Sequence, residues 1–141
     1  MKKFLFFAML CIAALSVFVA CDKKDKEVVD EITIYGTVVD ADSGDPIQNA
    51  QISLYKNYFS EEQQREDMDN GGAPGAIGSA VTGSDGSYEF TISDINRKYE
   101  YVVEAKKKGY QEGDMELSLS NTKSGGKFKC DFHLMPSEYQ K

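Results

Sequence analysis

Residues 81–90, VTGSDGSYEF, decide the reading of the fold. Thr82 leads into Ser84-Asp85-Gly86, whose aspartate and glycine favour a tight turn. Beyond it Tyr88 and Phe90 alternate with Ser87 and Glu89, the period-two pattern of a half-buried strand. The stretch reads as strand, turn, strand, a hairpin with two aromatics committed to one face. The other well-patterned strands should be arranged to cover those rings.

Downstream, this strand continues through Ile92. Residues 93–98 read as a connection with Ile95 turned into the core. Tyr99 to Lys106 is the next strand, with Tyr101, Val103 and Ala105 on one face and Glu100, Glu104 and Lys106 on the other. Gly109-Tyr110 closes it. Met115, Leu117 and Leu119 alternate with Glu116 and Ser118. After a polar turn at 121–126, Phe128, Cys130, Phe132 and Leu134 face inward, Lys127, Lys129, Asp131 and His133 face outward, and Pro136 ends the strand.

Upstream, ITIYGTVV at 32–39 is rich in β-branched residues and reads as a strand. Asp40 to Pro46 is a turn. Gln48 to Lys56 returns as a strand on the alternation of Ala50, Ile52 and Leu54. Residues 57–78 then spend about twenty positions where a hairpin needs two to five, and loops of that length are usually functional or disordered. Within them Ser60 and Gln63 fit a capping box for a short helix to about Met68. The Gly- and Pro-containing run 70–75 excludes regular structure. About seven short strands and almost no helix imply an all-β fold, a single antiparallel β-sandwich.

The first twenty residues stand apart. Lys2 and Lys3 precede an apolar run from Phe4 to Val19, the pattern of a secretory signal. Phe18-Val-Ala-Cys21 resembles a bacterial lipobox, with Phe18 where leucine is usual. This implies cleavage before Cys21 and acylation of that residue, with the acyl chains as a firm membrane anchor. The alternative is an ordinary secretory signal with a chance cysteine. Residues 22–31, DKKDKEVVDE, read as a charged tether, either a solvated spacer or, by resemblance, an export signal to the outer face. Asp22 resembles an inner-membrane retention signal used in some lineages. The expected organisation is signal 1–20, lipidated Cys21 and tether 21–31, sandwich 32–136 and tail 137–141. The expected address is the envelope of a Gram-negative bacterium, at the outer membrane and open to surface exposure.

All 23 Asp and Glu residues lie beyond residue 20, and two of the 16 Lys and Arg residues precede it, so the remainder carries a net charge of −9. That argues against nucleic acid as a partner. Cys11 leaves with the leader and Cys21 is acylated, so Cys130 has no partner for an internal disulfide.

The order Gly36-Thr-Val38, Asp40, Gly44-Asp-Pro46-Ile47, Ala50-Gln-Ile52-Ser-Leu54, Thr82-Gly-Ser-Asp85-Gly86-Ser-Tyr88-Glu-Phe90, Tyr101-Val-Val103-Glu-Ala105 and Gly109-Tyr110 resembles the carboxypeptidase regulatory-like domain. The resemblance covers about residues 32–135, and the 57–78 segment departs from it. It implies a transthyretin-like (prealbumin-like) Greek-key sandwich of seven strands without catalytic residues of its own. It also implies a non-enzymatic docking or adhesion role but does not choose the partner; another envelope protein or a glycan is the expected partner, and no cofactor is expected.

Candidate sites are few. His133 and Cys130 lie three apart on one strand and so face opposite sides, which excludes a catalytic dyad. They also supply too few ligands for zinc. Asp40, Asp42 and Asp45 around Gly44 could offer oxygens to calcium but lack the spacing of an EF-hand, and serve equally well as turn residues. Glu61, Glu62, Glu66, Asp67 and Asp69 against Arg65 make the 57–78 segment acidic. It is either a solvated loop or a surface for a basic partner or cation. Tyr55, Tyr58 and Phe59 border it and could stack on sugar rings, Tyr55 pointing outward, while Tyr58 and Phe59 could instead pin the loop to the core. Gly71, Gly72 and Gly75 do not form a phosphate loop, since no Lys-Ser/Thr pair follows. The 57–78 segment is therefore the first place to look for a specific partner.

Overall fold

A computed structural model describes residues 28–58, 60–72, 75–97, 99–119 and 122–139. The leader, Cys21 and Phe59 lie outside the described residues. Eight strands and one α-helix follow one another as β1 (Val28–Asp40), β2 (Gln51–Asn57), α1 (Glu61–Asp69), β3 (Ala76–Val81), β4 (Ser87–Asn96), β5 (Glu100–Lys106), β6 (Gly113–Leu117), β7 (Gly126–Lys129) and β8 (Phe132–Leu134). One sheet has the order β4-β1-β7, with β8 also on β1; the other runs β3-β2-β5-β6. The chain is mostly β, in two sheets consistent with a sandwich.

Alternation builds the core. Ile32, Ile34 and Val38 from β1 meet Ile52 and Leu54 from β2 and Tyr101, Val103 and Ala105 from β5, all buried in one cluster with Tyr88, Cys130, Phe132 and Leu134. Each large side chain so buried contributes about 1.5–3 kcal/mol. The inward faces read from the sequence for these strands are the ones that pack.

The pairing differs from expectation at several points. The two strands flanking the Asp85-Gly86 turn do not form a hairpin. β3 belongs to one sheet and β4 to the other, so the turn carries the chain across the sandwich. Three contacts lock the crossing. Buried Thr82 donates its hydroxyl to the Ile47 carbonyl at 2.6 Å and accepts from the Ala50 amide at 2.8 Å. The Val38 amide donates to the Gly86 carbonyl at 2.9 Å. A Cβ at Gly86 would stand 2.5 Å from the Val38 carbonyl oxygen, so only glycine lets the turn sit so close. Asp85 accepts from the Ser87 amide and hydroxyl, an Asx turn that shapes the corner.

Nor are the strands all antiparallel. β1 pairs antiparallel with β4 but parallel with β7 and β8. The strand expected over 127–135 is broken between β7 and β8, yet Ile34 faces Phe128 and Val38 faces Phe132, so one register holds on both sides of the break. Opposite the break stands Gly36. A Cβ there would lie 2.0 Å from the Cys130 carbonyl oxygen, which is held by the Tyr88 hydroxyl at 2.5 Å. The Thr37 amide donates to the Asp131 carboxylate at 2.9 Å, a side chain taking the place of a ladder carbonyl. β1 also begins earlier than expected, at Val28, inside the segment read as tether. β4 runs on to Asn96, through the segment read as a connection, with Ile95 buried as expected.

The sandwich has two distinct ends. Val28 pairs with Asn96 and Asn57 with Glu100 at one end, beside α1. The other end gathers the 40–50 and 83–86 turns and the Lys106–Tyr110 corner, where the Tyr110 hydroxyl reaches Asp40 at 2.9 Å and Tyr110 bridges to Pro136.

Candidate functional site

α1 forms where its capping signal placed it. Ser60 is the N-cap, and its side chain accepts from the Gln63 amide at 3.2 Å. Glu61 and Glu62 occupy the first turn, where negative charge favours the helix dipole. The helix is otherwise polar, so a hydrophobic face cannot hold it to the sheet.

A carboxylate holds it instead. Asp67 is the buried residue of α1. Lys56 donates to both of its oxygens at 2.8 and 3.0 Å, and the Tyr58 hydroxyl donates to Oδ2 at 2.8 Å. Lys56 lies across from Tyr101 on the inward face of β2, the face of Ile52 and Leu54. Its ammonium sits 4.9 Å from the centre of the Tyr99 ring, and Tyr58 meets Tyr99 edge-on at 5.8 Å. A Cβ on Gly72 would stand 2.2 Å from Asp67 Oδ2, so the return loop is glycine where it closes over the carboxylate. The Lys56 ammonium holds the Asp67 carboxyl below the usual carboxylate range. Burial, together with the Asp67 carboxylate, pushes the Tyr58 hydroxyl up to about 12. The cluster is an ionised clamp closing one end of the sandwich.

This splits the expected binding set. Asp67 and Tyr58 are spent on the clamp. Glu61, Glu62 and Glu66 are exposed on the helix surface, and Tyr55 is half-buried on the outward side of β2. Phe59 and Cys21 lie outside the described residues. The inward-facing Lys56 was the sequence signal for the clamp: a lysine continuing the parity of Ile52 and Leu54 requires an acid nearby.

The remaining candidates are placed as follows. Asp40 Oδ1 accepts from the Asp42 and Ser43 amides at 2.8 and 3.0 Å, and Oδ2 accepts from Tyr110; these donors lower its pKa, the Ser43 amide most. Asp42 and Asp45 are exposed on the same turn. Among the described residues no group of three or more His, Cys, Asp or Glu side chains is gathered to hold a metal ion. Cys130 is fully buried, burial pushing its thiol up to about 11, and His133 is exposed. Among the described residues no helix is long and apolar enough to cross a membrane.

Two open clefts were not foreseen. One, of about 710 Å³, is bordered by Tyr35, Thr37, Val81, Ser87, Glu89 and Lys129. The other, of about 430 Å³, lies at the end opposite α1 and is lined by Lys106, Lys107 and Lys108 with Asn49, Gln51 and Glu112.

No family model matches the chain, and no curated protein matches it in sequence. Solved structures do match its fold. Wild-type catechol 1,2-dioxygenase from Acinetobacter radioresistens superposes with a TM-score of 0.54 at 13% identity, over 82% of this chain and 54% of that one. 3-Chlorocatechol 1,2-dioxygenase from Rhodococcus opacus 1CP gives 0.52 at 14%, over 79% and 62%. The Bacillus anthracis TIE protein gives 0.51 at 15%, over 76% and 17%. The chain thus spans less than two thirds of the length of each, and likeness at such identity shows the fold alone. It nevertheless corrects the expectation that this chain is not an enzyme. That expectation ran from fold to function, and the same fold is present in dioxygenases. Chemistry resides in sites placed on a scaffold, so the scaffold does not exclude it.

Proposed function

We propose that the chain is a lipid-anchored protein of the Gram-negative cell envelope whose β-sandwich, carboxypeptidase regulatory-like in character, docks another envelope protein. In this reading β7 and β8 count as one strand, which makes a seven-stranded Greek key. The observation that carries the reading is the position of β1. Only residues 22–27 separate Cys21 from Val28, a reach of about 20 Å. Acylation of Cys21 would hold the α1 end of the sandwich near the bilayer and aim the other end about 40 Å outward along β1. The acidic face of α1 would then stand over an anionic surface and keep the domain off it.

Fractionation tests the anchor. The wild-type protein should sediment with outer membranes, and Cys21→Ala should move it to the soluble fraction. Equal distribution of the two would reject anchoring at Cys21. A second reading, carbohydrate binding in a nutrient-uptake system, draws on Tyr55, half-buried on the outward side of β2 and so available to a sugar face. It requires that Tyr55→Ala lower binding on a glycan array; an unchanged or blank array rejects it.

A further inference from the structure

The lysine cleft at the end opposite α1 departs from the rest of an acidic chain. β5 ends at Lys106, and Lys107 and Lys108 follow before Gly109, at φ +89°, turns the backbone. Three consecutive lysines thus line one cleft of about 430 Å³, against a single lining carboxylate, Glu112. The chain as a whole has a net charge of −7, so three consecutive lysines stand out against an acidic background.

The three ammonium groups are not equivalent. Lys106 is offset by Glu104 at 2.8 Å and Glu112 at 3.4 Å. Lys107 donates to the Gln48 carbonyl at 2.8 Å and the Asn49 carbonyl at 3.4 Å. Those contacts fix its position and leave its charge unneutralised. Lys108 is exposed and has no carboxylate partner among the described residues. Asn49 holds the cleft wall in a left-handed conformation at φ 58°, uncommon for a residue other than glycine. The carboxamides of Asn49 and Gln51 beside the lysines can both donate to and accept from a peptide main chain.

We propose that this cleft binds an acidic peptide segment of a partner protein, its Asp or Glu side chains meeting Lys107 and Lys108 and its main chain meeting Asn49 and Gln51. The ammonium groups supply charge complementarity and the carboxamides can pair with main-chain amides; a peptide is the occupant that the docking reading calls for. The inference rests on the docking reading for its cellular setting and deepens it: the partner is met at the end opposite α1, not at the 57–78 segment.

The test uses the full-length protein purified in detergent, as Cys21 and as Cys21→Ala, with a fluorescent glutamate-rich peptide as probe. Both forms should bind alike, so loss of anchoring and loss of the cleft are read separately. Lys108→Glu should weaken binding about tenfold, since it replaces an attraction by a repulsion at an exposed position. Raising salt should weaken wild-type binding. Lys123→Glu, an exposed substitution near the α1 end, should leave it unchanged, and a glutamine-for-glutamate probe should not bind. Equal binding by wild type and Lys108→Glu overturns the proposal. So does equal binding of the glutamine probe, or binding of polygalacturonate where the peptide fails.

Discussion

Asp67→Asn removes the charge from the clamp while keeping its shape. Wild-type Asp67 accepts from Lys56 at 2.8 and 3.0 Å and from Tyr58 at 2.8 Å, and the Tyr99 hydroxyl bonds to it as well. Hydrogen bonds to a charged group contribute about 1.5–3 kcal/mol each when well sequestered. Lys56 retains 21% side-chain exposure and can recover some water, and asparagine still accepts one bond. The expected loss is about 2 kcal/mol. If the clamp unfolds with the whole domain, Tm falls by about 10 °C. If α1 releases alone, amide protection over 61–69 falls by about 30-fold while protection of β1 and β5 holds. Thermal unfolding and hydrogen exchange measured together separate the two. A Tm within about 1 °C of wild type with unchanged protection over 61–69 would refute the clamp. The pH dependence carries the same sign test. The Asp67 carboxyl is held below its ordinary value of 3.8 by Lys56, so its stabilisation is present above the unfolded value and is lost as pH falls through the lowered one. Wild-type protection over 61–69 should therefore decline below about pH 4, whereas this contribution should be missing from Asp67→Asn.

Two further substitutions and one labelling measurement address the crossing and the break in the last strand. Thr82→Val keeps the volume but leaves the Ile47 carbonyl and Ala50 amide without their hydroxyl partner; chemical denaturation should show a loss of about 2–4 kcal/mol, and Thr82→Ser should recover part of it. Gly36→Ala drives a methyl against the Cys130 carbonyl, and should lower the denaturation midpoint more than a glycine-to-alanine change on an outer turn, such as Gly44→Ala. The Cys130 thiol, fully buried with its pKa raised, should react with a thiol reagent in native buffer only as fast as the domain opens, so its labelling rate should track denaturant-induced unfolding.

How far the sequence could be read follows from what alternation encodes. Period two reports which side of a strand is buried, so Ile52, Leu54, Val103, Phe132 and Leu134 were all legible as core. It is silent on which strand lies alongside and in which direction. The crossing at Asp85-Gly86 therefore looked like a hairpin, and the parallel partners of β1 like antiparallel ones. Elements without strong apolar patterning were shortened: Val28–Glu31 pairs with residues of β4 despite its charges, and Ser93–Asn96 extends β4 despite its polarity. Ser60 announced its helix because capping is local chemistry. Asp67 did not announce its burial, since an aspartate on a polar helix resembles its exposed neighbours until Lys56 is placed across from it. The lysine cleft was missed because Lys106-Lys107-Lys108 reads as a solvated strand end. Only the fold brings Asn49 and Gln51 beside it.

The central claim is that this sandwich is held to a membrane through Cys21, and mass spectrometry of the N-terminal peptide from membrane-extracted protein tests it most directly. The account predicts a peptide that begins at Cys21 and carries a diacylglyceryl group on its sulfur. An unacylated Cys21, or a peptide that reads through from residues 1–20, would contradict it.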